Sequence, residues 1–139
     1  MTLLVDAAPL VALADRRDPL RDGVRAVLEA ERGALVIPAP VTAEIDYLLG
    51  RRIGRLARLA FLDDLATGRF TVECLAPDEY PAVTQVDRGY PELDLGLADC
   101  ATVVLAARLR TLRVLTFDER HFRAVRPLQG GVFELLPQR

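Results

Sequence analysis

Short apolar runs alternate along the chain with longer stretches in which apolar positions recur every three or four residues. Leu3-Leu4-Val5, Leu35-Val36-Ile37, positions 70–75, Val114-Leu115-Thr116 and Val132-Phe133-Glu134-Leu135 are the short runs, set off by Gly, Pro or Asp. They read as buried strands. Helices are predicted between them, over 9–14, 19–31, 41–49, 52–66, 77–88, 95–110 and 119–124. Val24, Val27 and Leu28 share one face of the second helix. Ile53, Leu56, Leu59, Ala60 and Leu62 form the apolar stripe of the fourth. Pro9 and Pro77 suit first helical turns, and Gly33, Gly50 and Gly68 suit stops. Arg51-Arg52 and Gly130-Gly131 read as local turns. Continuous apolar strands separated by helices predict an α/β fold, a parallel sheet with helices on both faces. No repeat or linker interrupts the alternation, so 1–139 is read as one domain.

In such sheets ligands bind beyond the carboxyl ends of the strands. Asp6 directly follows the first strand, and Asp118 lies just past the fourth. Glu44 falls in the first turns of the helix after the second strand, and Asp99 in the first turns of the 95–110 helix. Both helices run back along the sheet, so their N-terminal ends lie at the same edge, and all four acids can converge on one rim. Asp99 is the most telling, because the helix around it is apolar nearly all round. An ionised carboxylate in such a place costs several kcal/mol unless it is compensated. Asp6 follows three apolar residues and has the same problem. A divalent cation answers both, and oxygen ligands without His or Cys suit Mg2+ or Mn2+ rather than zinc. Each acid alone has a plainer explanation: a turn residue at Asp6, a helix-dipole acid at Glu44, an Arg partner for Asp99, a helix cap at Asp118. Asp94 reads as a cap or outer-rim acid near the start of the Asp99 helix, rotated to another face.

Composition narrows the partners. Hydrophobic residues are 51% and charged residues 27% of the 139, as in a soluble globular domain. The net charge is −2, which argues against a simple nucleic-acid reader and less strongly against an enzyme with an acidic site. All 18 basic residues are Arg, each a planar fork suited to phosphate. Cys74 and Cys100 lie in no zinc pattern and read as buried thiols of a reducing cytoplasm. The first residues lack the basic flank of a signal peptide, and no run is long enough to span a membrane. The expected location is therefore cytoplasmic.

At the acidic positions the chain resembles the PIN-domain ribonucleases and, among them, the VapC toxins of bacterial toxin–antitoxin pairs. The matching pieces are Val5-Asp6-Ala7-Ala8-Pro9-Leu10, Thr42-Ala43-Glu44-Ile45, Leu97-Ala98-Asp99-Cys100-Ala101 and Leu115-Thr116-Phe117-Asp118-Glu119-Arg120-His121-Phe122. Any one is weak; the ordered set covers almost the whole chain. The resemblance implies a five-stranded parallel sheet of order 3-2-1-4-5, with Asp6 and Asp118 as neighbours at the switch point. It also implies Mg2+- or Mn2+-dependent endonuclease activity on RNA, with tRNA or ribosomal RNA as substrate. A homodimer and a small VapB-type antitoxin are the implied partners. Where the family often has Ser or Asn two residues after the first Asp, this chain has Ala8.

On this reading Asp6 and Asp99 hold the metal, and Glu44 and Asp118 complete the catalytic set. Thr116 hydrogen-bonds one of the acids, or is simply a strand residue. Arg120, Arg123 and Arg126 beside Asp118, and Arg51, Arg52, Arg55 and Arg58, are the candidate RNA contacts, with Arg16 and Arg17 as further ones. His121, the single histidine, is assigned to helix packing or the surface, and Phe117 and Phe122 to the core. A haloacid dehalogenase-type phosphotransferase would need an Asp at position 8 and a Lys, and a receiver domain also needs a Lys; both are excluded. The alternative that stands is a PIN-like module that binds RNA or protein without cleaving.

Overall fold

The structure is a computed structural model and describes residues 1–138. Five strands form one sheet: β1 (Leu3–Val5), β2 (Leu35–Pro38), β3 (Thr71–Glu73), β4 (Arg113–Leu115) and β5 (Glu134–Leu136). Their order is β3-β2-β1-β4-β5, and every pairing is parallel. The helices are α1 (Ala7–Ala14), α2 (Arg21–Ala30), α3 (Ala39–Arg52), α4 (Arg55–Thr67), α5 (Tyr80–Gly89), α6 (Leu97–Leu109) and α7 (Glu119–Ala124).

Strand residues alternate between two cores, as the two-residue period of a strand requires. Leu3, Val5, Ile37 and Leu115 pack into the layer containing α1 to α4; Leu4, Val36, Val114 and Leu135 pack into the layer containing α5 to α7. Leu3, Leu4, Ile37, Ile45, Leu105 and Leu115 are fully buried. Each contributes about 1.5–3 kcal/mol of hydrophobic stabilisation. From β1 the chain builds outward through β2 to β3, then returns through α5 and α6 to place β4 on the other side of β1. The crevice between β1 and β4 is thus the switch point.

Several expectations are corrected. The last strand lies at Glu134–Leu136, not 132–135. Gly130 and Gly131 adopt positive φ (88° and 80°), leaving Val132 80% exposed, and pairing with β4 begins only at Glu134. Arg51 and Arg52 are the last turn of α3, not a separate turn; the break falls at Gly54, whose φ of 138° suits glycine alone. Asp94 lies outside α6. It follows a short 3-10 turn (Pro91–Leu93) with φ 51°, and α6 is capped at Gly96. The stripe on α4 is not core: Phe61 is its buried residue, while Leu56 is 83% exposed and Leu59 and Leu62 are also exposed. Cys74 is exposed, whereas Cys100 is buried and burial pushes its thiol up to about 11. Phe117 and Phe122 both pack into the core as expected, on opposite faces of the sheet: Phe117 against the α1–α4 layer, Phe122 against Phe133 in the other. Among the described residues no helix is long and apolar enough to cross a membrane.

Candidate functional site

Asp6 ends β1 and caps α1. Its backbone N–H donates to the Leu115 carbonyl on β4 (2.9 Å), which fixes the carboxylate at the β1–β4 crevice. Its Oδ1 accepts from the Ala7 N–H (2.9 Å) and its Oδ2 from the Thr116 hydroxyl (2.7 Å). The Thr116 Oγ1 in turn accepts from the Asp118 N–H (3.0 Å). Thr116 is 3% exposed, so a single buried hydroxyl ties the acid of β1 to the acid beyond β4.

Asp118 caps α7, accepting from the His121 backbone N–H at Oδ1 (3.2 Å). The His121 ring lies over the crevice between the two acids. Its Nδ1 lies 2.7 Å from Asp118 Oδ2 and 2.8 Å from Asp99 Oδ2. Asp99 stands in the first turn of α6, and Glu44 projects from the second turn of α3. Asp6, Glu44, Asp99 and Asp118 therefore line one cleft of about 540 Å³, with Ala8 and Phe117 on its walls. The structure brings together all four acids that the sequence singled out.

Electrostatics marks the same cleft. Burial, and secondarily the charge of Asp118, pushes Asp6 above the usual carboxylate range despite the hydrogen bonds from Thr116 and Ala7. Burial also raises Asp99, with Asp6 and Asp118 adding to it and His121 opposing. Glu44 is raised by partial burial, then by Asp6 and Asp99. Crowded carboxylates of this kind repel one another, and a divalent cation relieves the repulsion. Asp99, Asp118 and His121 each offer a ligand atom within 4.8 Å of the others. The donor set thus fits a cation, and a nitrogen donor stands beside the oxygen donors expected from sequence. His121, assigned to packing or the surface, is part of the cluster. Its spacing three residues after a capping Asp is the one signal that could have found it.

The predicted Arg contacts divide. Arg120 and Arg123 lie on α7, the helix that Asp118 caps, and both are exposed, but neither lines the acidic cleft. Arg120 donates to the Glu92 carbonyl (3.4 Å), and Arg123 pairs with Glu119 (3.5 Å). Arg126 follows α7, its backbone N–H bonded to the Tyr90 hydroxyl (3.0 Å). Arg51 and Arg52 are not brought to the acids. They stand seven and eight residues beyond Glu44 on α3, about 10–12 Å along the helix axis, toward the opposite edge of the sheet. Arg58 is engaged by Asp46 (3.1 Å), Arg55 opens α4 at that far end, and Arg16 and Arg17 lie past the far end of α1.

Comparison with known proteins agrees with this architecture. Residues 3–127 match the family model described as the PIN domain. Over 135 residues the chain is 37% identical to Ribonuclease VapC26 of Mycobacterium tuberculosis, covering 97% of this chain and 100% of that protein. Its fold is similar to that of Mycobacterium tuberculosis VapC20, a Sarcin-Ricin loop cleaving toxin, with a TM-score of 0.77 at 18% identity over 86% of this chain and 92% of that one. It is also similar to VapBC2 from Rickettsia felis, solved with a DNA fragment from its promoter: TM-score 0.71, 16% identity, 97% of this chain and 98% of that one. The fold, the match to the family model and the full-length relative together place the chain in the PIN-domain family, within its VapC branch.

Proposed function

We propose that the protein is a divalent-cation-dependent endoribonuclease and the toxin of a VapBC-type pair. The observation that carries this reading is the convergence of Asp6, Glu44, Asp99 and Asp118, from four separate elements, on one cleft at the switch point. Relatives named as a ribonuclease and as an RNA-loop-cleaving toxin support the substrate class, with ribosomal RNA or tRNA as the expected target.

Asp6 and Asp99 hold the cation, with Asp118 beside them. The bound ion, Mg2+ or in its place Mn2+, supplies Lewis acidity toward the scissile phosphate and the attacking water. Thr116 donates to Asp6 Oδ2 and so keeps that carboxylate turned to the cleft. We assign to Glu44, a carboxylate of the same cleft raised above its ordinary value, the roles of orienting the attacking water and taking its proton. Arg120 and Arg123, exposed on the helix that Asp118 caps, contact the RNA backbone.

Two partners complete the reading. A toxin–antitoxin complex from Klebsiella pneumoniae is among the similar folds and supports a small VapB-type antitoxin. The exposed apolar side chains Tyr47, Leu56 and Leu62 on α3 and α4 support a homodimer that covers them. The test is incubation of the purified protein with a panel of structured RNAs and Mg2+ or Mn2+, beside Asp6→Asn. Cleavage by the wild type and a loss of at least about 100-fold in the variant is expected. Equal cleavage by both would remove Asp6 from the site. Binding of the panel without cleavage would mark a binding module instead.

A further inference from the structure

We infer that His121 supplies its Nδ1 as a nitrogen ligand of the cation site, which gives the site a preference for Mn2+ over Mg2+. This rests on the proposed cation-dependent reading and adds a residue and a selectivity to it. The geometry is that of adjacent ligands. His121 Nδ1 lies 2.8 Å from Asp99 Oδ2 and 2.7 Å from Asp118 Oδ2. Two ligands at right angles, each about 2.1 Å from an octahedral ion, are about 3 Å apart. Each carboxylate oxygen needs to draw back from the nitrogen by only a few tenths of an ångström to become its neighbour in a coordination shell, and all three ligand atoms lie within 4.8 Å of one another.

The ring is also held there. The His121 backbone N–H is bonded to Asp118 Oδ1, which fixes the residue's Cα beside the acids, and the ring itself is held by its Nδ1 contact with Asp99. The His121 side chain is 18% exposed and that of Asp99 19%, so both are largely withdrawn from solvent, while Asp118 at 36% opens onto the cleft. One ring nitrogen carries at most one proton, yet it faces two carboxylate oxygens. Only one full hydrogen bond, or a shared and weaker pair, can form. A cation among the three atoms satisfies all of them. An imidazole donor suits first-row transition ions, whereas Mg2+ favours oxygen and retains its waters. Mn2+ accepts both donor types, so it gains more from the mixed set than Mg2+ does.

The test uses tag-free full-length protein loaded with Mn2+ and pulsed electron paramagnetic resonance. His121 is the only histidine, so imidazole coupling reports on it alone. Directly bound 14N modulation is expected in the wild type, with the 15N pattern on histidine-selective labelling. In His121→Gln the coupling disappears and the Mn2+ dissociation constant rises at least about tenfold, the loss expected even for a group that only orients a ligand. The Mg2+ constant rises less. Mn2+ binding without nitrogen coupling overturns the inference and leaves the cation-dependent reading standing. An equal weakening of both ions with no coupling also overturns it and makes His121 a positioning residue. Failure to bind either ion overturns both readings. If the variant does not fold, the wild-type spectrum decides.

Discussion

At the scale of single residues, Thr116 holds the site's two central strands in relation. Its hydroxyl donates to Asp6 and accepts from the Asp118 N–H, so removing it leaves a part-buried N–H without its partner and frees one carboxylate. Thr116→Val is expected to lower stability by about 1–3 kcal/mol in denaturant titrations. RNA cleavage should fall about 10- to 100-fold, and Thr116→Ser should restore most of both. Asp99 makes the complementary case. Burial is the largest influence on its carboxylate and raises its pKa, which means that the ionised form weakens the cation-free fold. Asp99→Asn should therefore raise the melting temperature without cation by about 2–4 °C, while abolishing any further rise on adding Mg2+ or Mn2+. A fall without cation would show that the contact with His121 outweighs burial. Asp99 was legible in the sequence because its own helix is apolar all round. His121 was not, because its contact with Asp99 spans 22 positions and exists only once α6 and α7 pack together.

At the scale of elements, local signals located each strand and helix but not all of their ends. The apolar run of β1 and the Pro-bounded run of β2 sit where the pattern put them. β5 shifted because two glycines in left-handed conformations decide where pairing can begin, and periodicity does not see that. The α4 stripe had the right period and the wrong destination, since a stripe declares that a face is apolar and not which surface covers it. The strand order came with the family resemblance, and the crossover from β3 back to β4 carries no local mark. The short helix α7 shows how an element can serve the site directly. Asp118 is both its cap and a cleft acid. The two roles separate by substitution: Asp118→Asn retains a good capping group, so stability should stay close to wild type while cation affinity falls. Asp118→Ala should lose the affinity and about 1 kcal/mol of stability as well. Thermal melts and cation titrations of the pair check this, and identical melts for the two variants would show that the cap does not hold α7.

At the scale of the whole molecule, the proposed cation site would make folding, proton binding and cation binding one equilibrium. Asp6, Asp99 and Glu44 are all held above their ordinary values, with burial the first cause in each. A raised folded-state pKa means that the folded protein binds protons more tightly than the unfolded chain. These groups therefore weaken the cation-free fold as pH rises from the unfolded value of about 4 through the folded values, and the full penalty is present at neutral pH. A bound cation compensates the same charges and competes with the same protons. Its stabilisation, about 2.7 kcal/mol at a concentration one hundred times the dissociation constant, should be largest near neutral pH. It should shrink as pH falls, beginning above the range in which ordinary carboxylates protonate. Glu31 runs the other way: burial raises it, but the hydrogen bonds from Arg113 and Gly33 prevail and hold it low, so its contribution is lost on acidification. Glu31 lies apart from the cleft and affects melts with and without cation alike. The difference between paired melts, taken from about pH 7.5 down to about pH 4.5, therefore isolates the site. A difference that stays constant across that range would mean that the cation binds somewhere other than these three carboxylates.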